Sequence, residues 1–528
     1  MNSLTRISLA ALTLALAVKP PVLCAQPAGN KTAAEFNTPA YWYESGQAAL
    51  HAAKQNTYVG TKAKNVILFV GDGMGISTVT AARILEGQMQ QRDGESNRLA
   101  FEKFPYFALS VTASANQQTS DSAPTATALM TGIKANDGAI AVNQTLARTE
   151  SNAALVAAAS VKSILQQAEE QGLATGIVTT ARVTHATPAT NYAHVPDREW
   201  EADVNLPNGA TVKDIAQQLL EFSHGDGIEV VMGGGRKQFY AHTEADPEYA
   251  GRTGIRRDGR NLHKEWVAKH PRSTYVWNKK LLDEIDPKKT KHLLALFEPS
   301  HMRYEADRAQ DIAGEPSLAE MTTKTLQILQ QNKNGFYLMV EAGRIDHAHH
   351  AGNAYRALTD AIALSDAVKA AQAATDPRDT LIIVTADHSH TFTIAGYPER
   401  GNPILGKTRA GGELLTDTMG LPYTTLGYAN GPGFTGGKTR REFNGKSESA
   451  IAATYKGTAK RPDLTDVDTT SPAYMQEATV PLASETHGGE DVGIYALGPN
   501  AHLFRGVQEQ HIIYHIMADA LGLNKQAK

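Results

Sequence analysis

Six stretches of this chain are almost continuously apolar and rich in β-branched residues: NVILFV (65–70), TGIVTT (175–180), IEVVMGG (228–234), FYLMVEAG (336–343), TLIIVTAD (380–387) and DVGIYALG (491–498). A strand with one wet face alternates apolar and polar positions. Runs without alternation predict strands buried on both faces. Helix-like segments lie between many of them, at 122–132, 152–172, 212–223 and 353–374. This alternation predicts an α/β fold, a doubly wound, mostly parallel central sheet flanked by helices, with ligands at the carboxyl ends of the strands. A further helix is predicted around Tyr41–Lys54. Two stretches break the rhythm. Residues ~240–315 are rich in charge and aromatics, and ~396–480 in Gly, Pro, Thr and Lys. Both read as insertions on a core that spans 65–395 and resumes at 481–528.

With 528 residues, 41% of them hydrophobic, the chain can bury a large core in one or two domains. The net charge of −4, without a polybasic block, speaks against a nucleic-acid-binding module. Arg6 followed by ISLAALTLALAV (7–18) reads as a secretory signal within residues 1–25, cleaved after Ala17 or near Ala25. Its apolar core is too short for a spanning helix, which needs ~20 residues. Residues 26–64 then form an N-terminal arm. The single cysteine, Cys24, leaves no internal disulfide, so secretion fits a bacterial periplasm or exterior. Pro21 stands where a lipid-attachment motif would carry Leu, and the polar end LGLNKQAK lacks the apolar tail of a membrane anchor.

The chemistry gathers where the apolar runs end. E-A-G-R-I-D-H-A-H-H (341–350) and T-A-D-H-S-H (385–390) each close a predicted strand. Carboxylates with neutral imidazoles suit Zn²⁺, and all-oxygen sets suit Mg²⁺. Asp346 and His350, four apart, share one face of a helical turn with Glu341 just upstream, whereas His347 and His349 fall off that face. Asp387 and His388 are adjacent at a strand end, and His487 opens T-H-G-G-E-D (486–491) before another strand. Asp72 lies in the turn G-D-G-M-G (71–75), which lacks dinucleotide or Walker spacing. Ser122 begins a helix of small residues, whose N–H groups and dipole favour phosphate. As a helix cap it would need no chemistry at all. There is no G-x-S-x-G elbow, so activation of this hydroxyl falls to a metal. Thr187 offers an oxygen to a hard cation, and Arg198 a planar fork for phosphate. Singly, each has a plainer reading: a turn Asp, a surface Arg, a packed His. Gathered on several strand ends, they point to a multi-metal hydrolase.

The motifs G-D-G-M-G, D-S-A-x-T-A-T-A, E-x-x-x-x-D-H-x-H-H, T-A-D-H-S-H and E-T-H-G-G-E-D resemble the alkaline phosphatase family, its animal tissue type more than its enteric bacterial type, over ~40–520. The resemblance implies hydrolysis of phosphate monoesters through a phosphoserine at Ser122, with two zinc ions and one magnesium ion per subunit. It assigns Asp346, His350 and His487 to the first zinc and Asp72, Asp387 and His388 to the second. Asp72, Thr187 and Glu341 go to magnesium. Arg198 becomes the phosphate clamp, with His347 near phosphate and His185 as an auxiliary histidine. Thr187 replaces the usual serine. A calcium site is implied at Glu248, Glu298 and the carbonyl of Phe297, with Glu315 where an Asp is usual. A homodimer is implied too, with residues 36–55 and the crown-like insertion ~396–480 at its interface. Phosphodiesterases, sulfatases and cofactor-independent phosphoglycerate mutases share this core. A sulfatase needs Cys- or Ser-x-Pro-x-Arg, and here Ser122-A-P-T is followed by Ala126. A diesterase is not expected to keep Arg198 and the Glu341/Thr187 site. A non-catalytic phosphate- or metal-binding protein is the rival from another class.

Overall fold

The computed structural model describes residues 59–434 and 461–523. The expected signal, the helix at 41–54 and part of the 396–480 stretch lie outside them. The core is a ten-stranded sheet. Its strands are β1 (Asn65–Gly71), β2 (Tyr106–Val111), β3 (Ala174–Arg182), β4 (Val230–Gly234), β5 (Ser273–Val276), β6 (His292–Leu296), β7 (Phe336–Ala342), β8 (Thr380–Ala386), β9 (Val492–Leu497) and β10 (Val507–Glu509). Their spatial order is β10-β2-β9-β8-β1-β7-β3-β4-β6-β5.

The unbroken apolar runs have a direct physical cause. Successive side chains of a strand point to opposite faces, and here both faces are covered. Val66, Leu68 and Val70 of β1 enter one hydrophobic cluster, Ile67 and Phe69 the other. Helices Ser122–Thr131 and Ile512–Leu521 contribute to the first cluster; Ile76–Met89, Leu318–Leu329 and Ala354–Ala374 contribute to the second.

Only β9 runs against its sheet neighbours, antiparallel to both β8 and β2. This reversal matters for the chemistry. It puts the residues that precede β9, His487 among them, at the same sheet margin as the residues that follow the parallel strands.

Two expectations change, and one strand is new. The helix expected over 152–172 is two helices, Ala153–Ala159 and Ile164–Glu170. Ser163 starts the second with a capping box, its hydroxyl accepting from Gln166 N while the Gln166 side-chain oxygen accepts from Ser163 N. The stretch ~240–315 is not wholly an insertion, because β5 and β6 extend the sheet beyond β4. β2 carries no long apolar run because it is only half buried, with Phe107 48% exposed.

A buried carboxyl pair sits at the opposite margin of the sheet. Thr175 donates from its N–H to Glu229 (2.7 Å) and from its hydroxyl to Glu169 (2.5 Å). Burial, then the charge of Glu169, pushes Glu229 up to about 9 from 4.5. Over that interval the folded chain holds a proton that the unfolded chain has released. The contribution of Glu229 to stability is therefore complete below about 4.5 and lost as pH rises through about 9. Glu229→Gln is expected to be near neutral at the acid end and to melt at least a few °C above the parent at pH ~9. Melting curves at both pH values check this, and an offset independent of pH would contradict it.

Candidate active site

Sheet register brings the carboxylates together. Val70 pairs with Glu341 on one side and Thr385 on the other, so Asp72 and Asp387 each stand two residues beyond the row of Glu341. Between Asp72 and the helix Ile76–Met89 the chain turns through Gly73 at φ +68°, where a Cβ would lie 2.3 Å from His390 Nε2. Only glycine fits there.

Ser122 is the first residue of the helix Ser122–Thr131, and Asp121 is its cap, accepting from Ala123 N. The serine is therefore not spent on capping. Its Oγ lies 3.1 Å from His388 Nε2 and 3.3 Å from Asp72 Oδ1. Asp387 is fixed by the N–H groups of Gly73 and His388, both at 2.9 Å, and by the Thr125 hydroxyl at 3.3 Å. His388 Nε2 lies 3.4 Å from Asp72 and 3.3 Å from Asp387. Burial, then the charges of Asp387, Asp346 and Glu341, hold the Asp72 carboxyl well above its ordinary range. Burial keeps His388 neutral, well below its usual value. Such an anionic, buried cluster is relieved by bound cations.

Asp346 and His350 share one face of the helix Arg344–His350, as their spacing predicts. His487 arrives from the short strand His487–Gly488, which pairs with Ser389–His390. His350 Nδ1 donates to the Glu485 carbonyl (2.6 Å) and His487 Nδ1 to the Ser120 carbonyl (2.7 Å). Those bonds fix both tautomers, leaving each Nε2 a lone pair. The two Nε2 atoms stand 3.1 Å apart, at 3.3 and 3.4 Å from Asp346 Oδ1. Burial opposes protonation of His350, but the Asp346 charge raises it above its ordinary value, so a bound cation would take the place of a proton here. One carboxylate and two imidazoles, each imidazole oriented from behind by a carbonyl, suit zinc.

The third group is oxygen-rich. Asp72 Oδ2, Glu341 Oε1 and Thr187 Oγ1 are all buried without a hydrogen-bond partner. Ligand atoms of Asp72, Glu341 and His185 lie within 4.8 Å of one another. The Thr179 hydroxyl donates to the other Glu341 oxygen. Burial pushes Glu341 up to about 7. Orphaned hard oxygens around two carboxylates suit magnesium.

Arg198 reaches the cap of the serine's helix. It donates to Asp121 Oδ1 (3.1 Å), the cap of the helix that carries the serine, and to His185 Nε2 (2.9 Å). Burial opposes ionisation of Asp121, but the Arg198 charge and the N–H groups of Ala123 and Gly138 hold it below its ordinary value. His347 packs against His301, ring centroids 4.0 Å apart, and both join His185 in a three-imidazole cluster.

The expected calcium ligands come together in part. Glu248 and Glu298 converge with Asp311, both of whose oxygens are buried without a hydrogen bond. Glu315 lies outside that group. One of its oxygens accepts from Arg303 N (2.9 Å), and burial pushes it up to about 8. The Phe297 carbonyl accepts from Arg236 Nη1 at 3.0 Å.

Sequence reasoning missed Asp121, Thr179, His301, Asp311, His390 and Glu485. His390 ends the T-A-D-H-S-H motif, and Asp311 is one more acid in a charged stretch; spacing marks neither.

A family model described as alkaline phosphatase matches residues 63–523. The chain is 44% identical to the alkaline phosphatase of Gadus morhua over 92% of its own length and 98% of that protein. It is 44% identical to the tissue-nonspecific isozyme of Mus musculus over 91% of its own length and 88% of that protein. The crystal structure of Thermus thermophilus alkaline phosphatase superposes with a TM-score of 0.62 at 25% identity, covering 90% of this chain and 94% of that one. A strand-end cluster of buried carboxylates and imidazoles beside a serine and a pinned arginine thus coincides with similarity along the whole catalytic core, and the chain belongs to the alkaline phosphatase family, as a phosphoric monoester hydrolase.

Proposed function

We propose that this enzyme cleaves phosphate monoesters through a phosphoserine on Ser122, assisted by two zinc ions and one magnesium ion per subunit. The observation that carries the reading is the Ser122 hydroxyl at a helix N-terminus, within 3.3 Å of both Asp72 and His388. Asp346, His350 and His487 would hold one zinc; Asp72, Asp387 and His388 the other. Asp72, Thr187 and Glu341 would hold magnesium. Calcium would sit at Glu248 and Glu298, with Asp311 a better third carboxylate than Glu315 and Phe297 offering its carbonyl. When bound, the zinc and magnesium ions supply Lewis acidity and offset the phosphate charge.

The chain's own groups do the rest. Arg198, held by Asp121, would turn its remaining donors to the phosphate oxygens, and His347 stands close by. Ser122 Oγ forms a bond to phosphorus as the ester P–O bond breaks, and the departing alcohol ends with the serine's proton. Water then cleaves the phosphoserine, releasing phosphate and returning a proton to Ser122.

The same reading makes the protein a secreted or periplasmic bacterial enzyme and a homodimer, with residues 36–55 and the crown-like insertion (~396–480) at the interface. The charged-then-apolar start of the chain supports the first part. No helix among the described residues is long and apolar enough to cross a membrane.

Monoester and diester rates test the reading together. Arg198→Ala is expected to lower kcat/KM for 4-nitrophenyl phosphate by about 10²-fold and to change bis(4-nitrophenyl) phosphate hydrolysis far less, because a diester lacks the second charge that the fork binds. Equal losses on both esters would contradict the clamp.

A further inference from the structure

The group of Asp346, His350, His390 and His487 places four ligand atoms within 4.8 Å of one another. The hydrogen bonds divide it. His390 lies between two carboxylates, with Nδ1 2.5 Å from Glu485 Oε2 and Nε2 2.8 Å from Asp346 Oδ1. A carboxylate oxygen thus engages each ring nitrogen. With both nitrogens occupied, His390 has none left for a metal, which removes it from the ligand set despite its position. Asp346, His350 and His487 remain.

Glu485 reaches this site twice. Its side chain is fully enclosed; the oxygen not on His390 accepts from the N–H and hydroxyl of Thr391, both at 2.7 Å. Its carboxylate acts on Asp346 through His390. Its main chain acts on His350, accepting from Nδ1 at 2.6 Å and donating to the His350 carbonyl at 3.0 Å. The residue is itself held. Asn430 brackets Thr486, accepting from its N–H and donating to its hydroxyl, and a Cβ on Gly431 would lie 3.0 Å from the Glu485 Cβ. Gly431 has φ +135°, outside the range that side chains favour.

We infer that Glu485 is a positioning residue for the first zinc: its carboxylate anchors the His390 ring, and His390 in turn fixes the Asp346 carboxylate for the metal. The inference rests on the two-zinc reading. Charged partners behind a ligand orient it and tune its affinity, and their removal typically costs about 10–100-fold in metal binding. Glu485→Gln is the informative change, since it keeps the size of the side chain and removes its charge together with one acceptor oxygen.

The experiment is zinc competition against a chromophoric chelator, without turnover, on the full-length protein and on Glu485→Gln, His390→Gln and the double variant. The parent is expected to hold two zincs per subunit. Each single variant is expected to lose about 10–100-fold in affinity at one site only. The double variant is expected to lose no more than the worse single, because the two residues act in series. Metal-free melting of the variants should match the parent, and excess zinc should restore turnover. Unchanged affinities, additive losses, or equal weakening of both zincs with a lower metal-free melting temperature would each overturn the positioning role. A parent that binds no zinc would instead overturn the two-zinc reading, and this inference with it.

Discussion

Ser122→Ala is expected to lower turnover of 4-nitrophenyl phosphate by at least about 10³-fold while zinc and magnesium content stay at the parent level. The structural reason is local. Because Asp121 caps the helix, alanine removes the hydroxyl without loosening the helix start. Ser122 is 2% exposed, and the atom lost faces Asp72 and His388 directly. The residues proposed to hold metal keep their own supports: Gly73 N on Asp387, the Glu485 carbonyl on His350, the Ser120 carbonyl on His487. Steady-state rates with metal analysis of the same samples check the prediction. A variant with full metal and an unchanged rate would remove Ser122 from the chemistry.

Chelation is expected to lower activity by at least about 10²-fold, and zinc plus magnesium to restore it. Asp72, Glu341 and Asp387 are fully buried and Asp346 is 4% exposed, with neutral His388 among them. Without cations Asp72, Asp387 and Glu341 are pushed toward their protonated forms by burial and by neighbouring acids, whereas His350, His390 and His487 hold Asp346 well below its ordinary value against burial. A protonated ligand set competes with metal, so the metal-loaded enzyme is expected to lose activity as pH falls. Binding to the folded chain alone also raises its stability, so the chelated protein should melt at a lower temperature. Full activity in a sample shown to be metal-free would contradict the account.

Much of the fold and of the site is legible in the amino-acid order alone. The six apolar runs are strands because both sheet faces are covered, as the division of Val66 and Leu68 from Ile67 and Phe69 shows. The Asp346/His350 pair follows from helical spacing. Strands such as β2 and β5, half exposed and short, carry too little pattern to be read. The partners of the site are harder for another reason. Asp121, Glu485 and His390 act through contacts set by tertiary structure; Glu485 meets His390 across 95 residues. The motifs contain all three residues, but nothing in a local window tells what each of them touches. Glu315 shows the same limit: one of its oxygens accepts from Arg303 N while the other is buried without a hydrogen bond, and no local pattern tells the two apart.

The most direct test of the account is a rapid acid quench during a single turnover with a phosphoryl-labelled monoester, followed by peptide mapping. The account predicts up to one labelled phosphoryl group per active site, on the peptide containing Ser122 and absent from Ser122→Ala. Release of phosphate from a fully active enzyme that never carries label, or label on another residue, would contradict it.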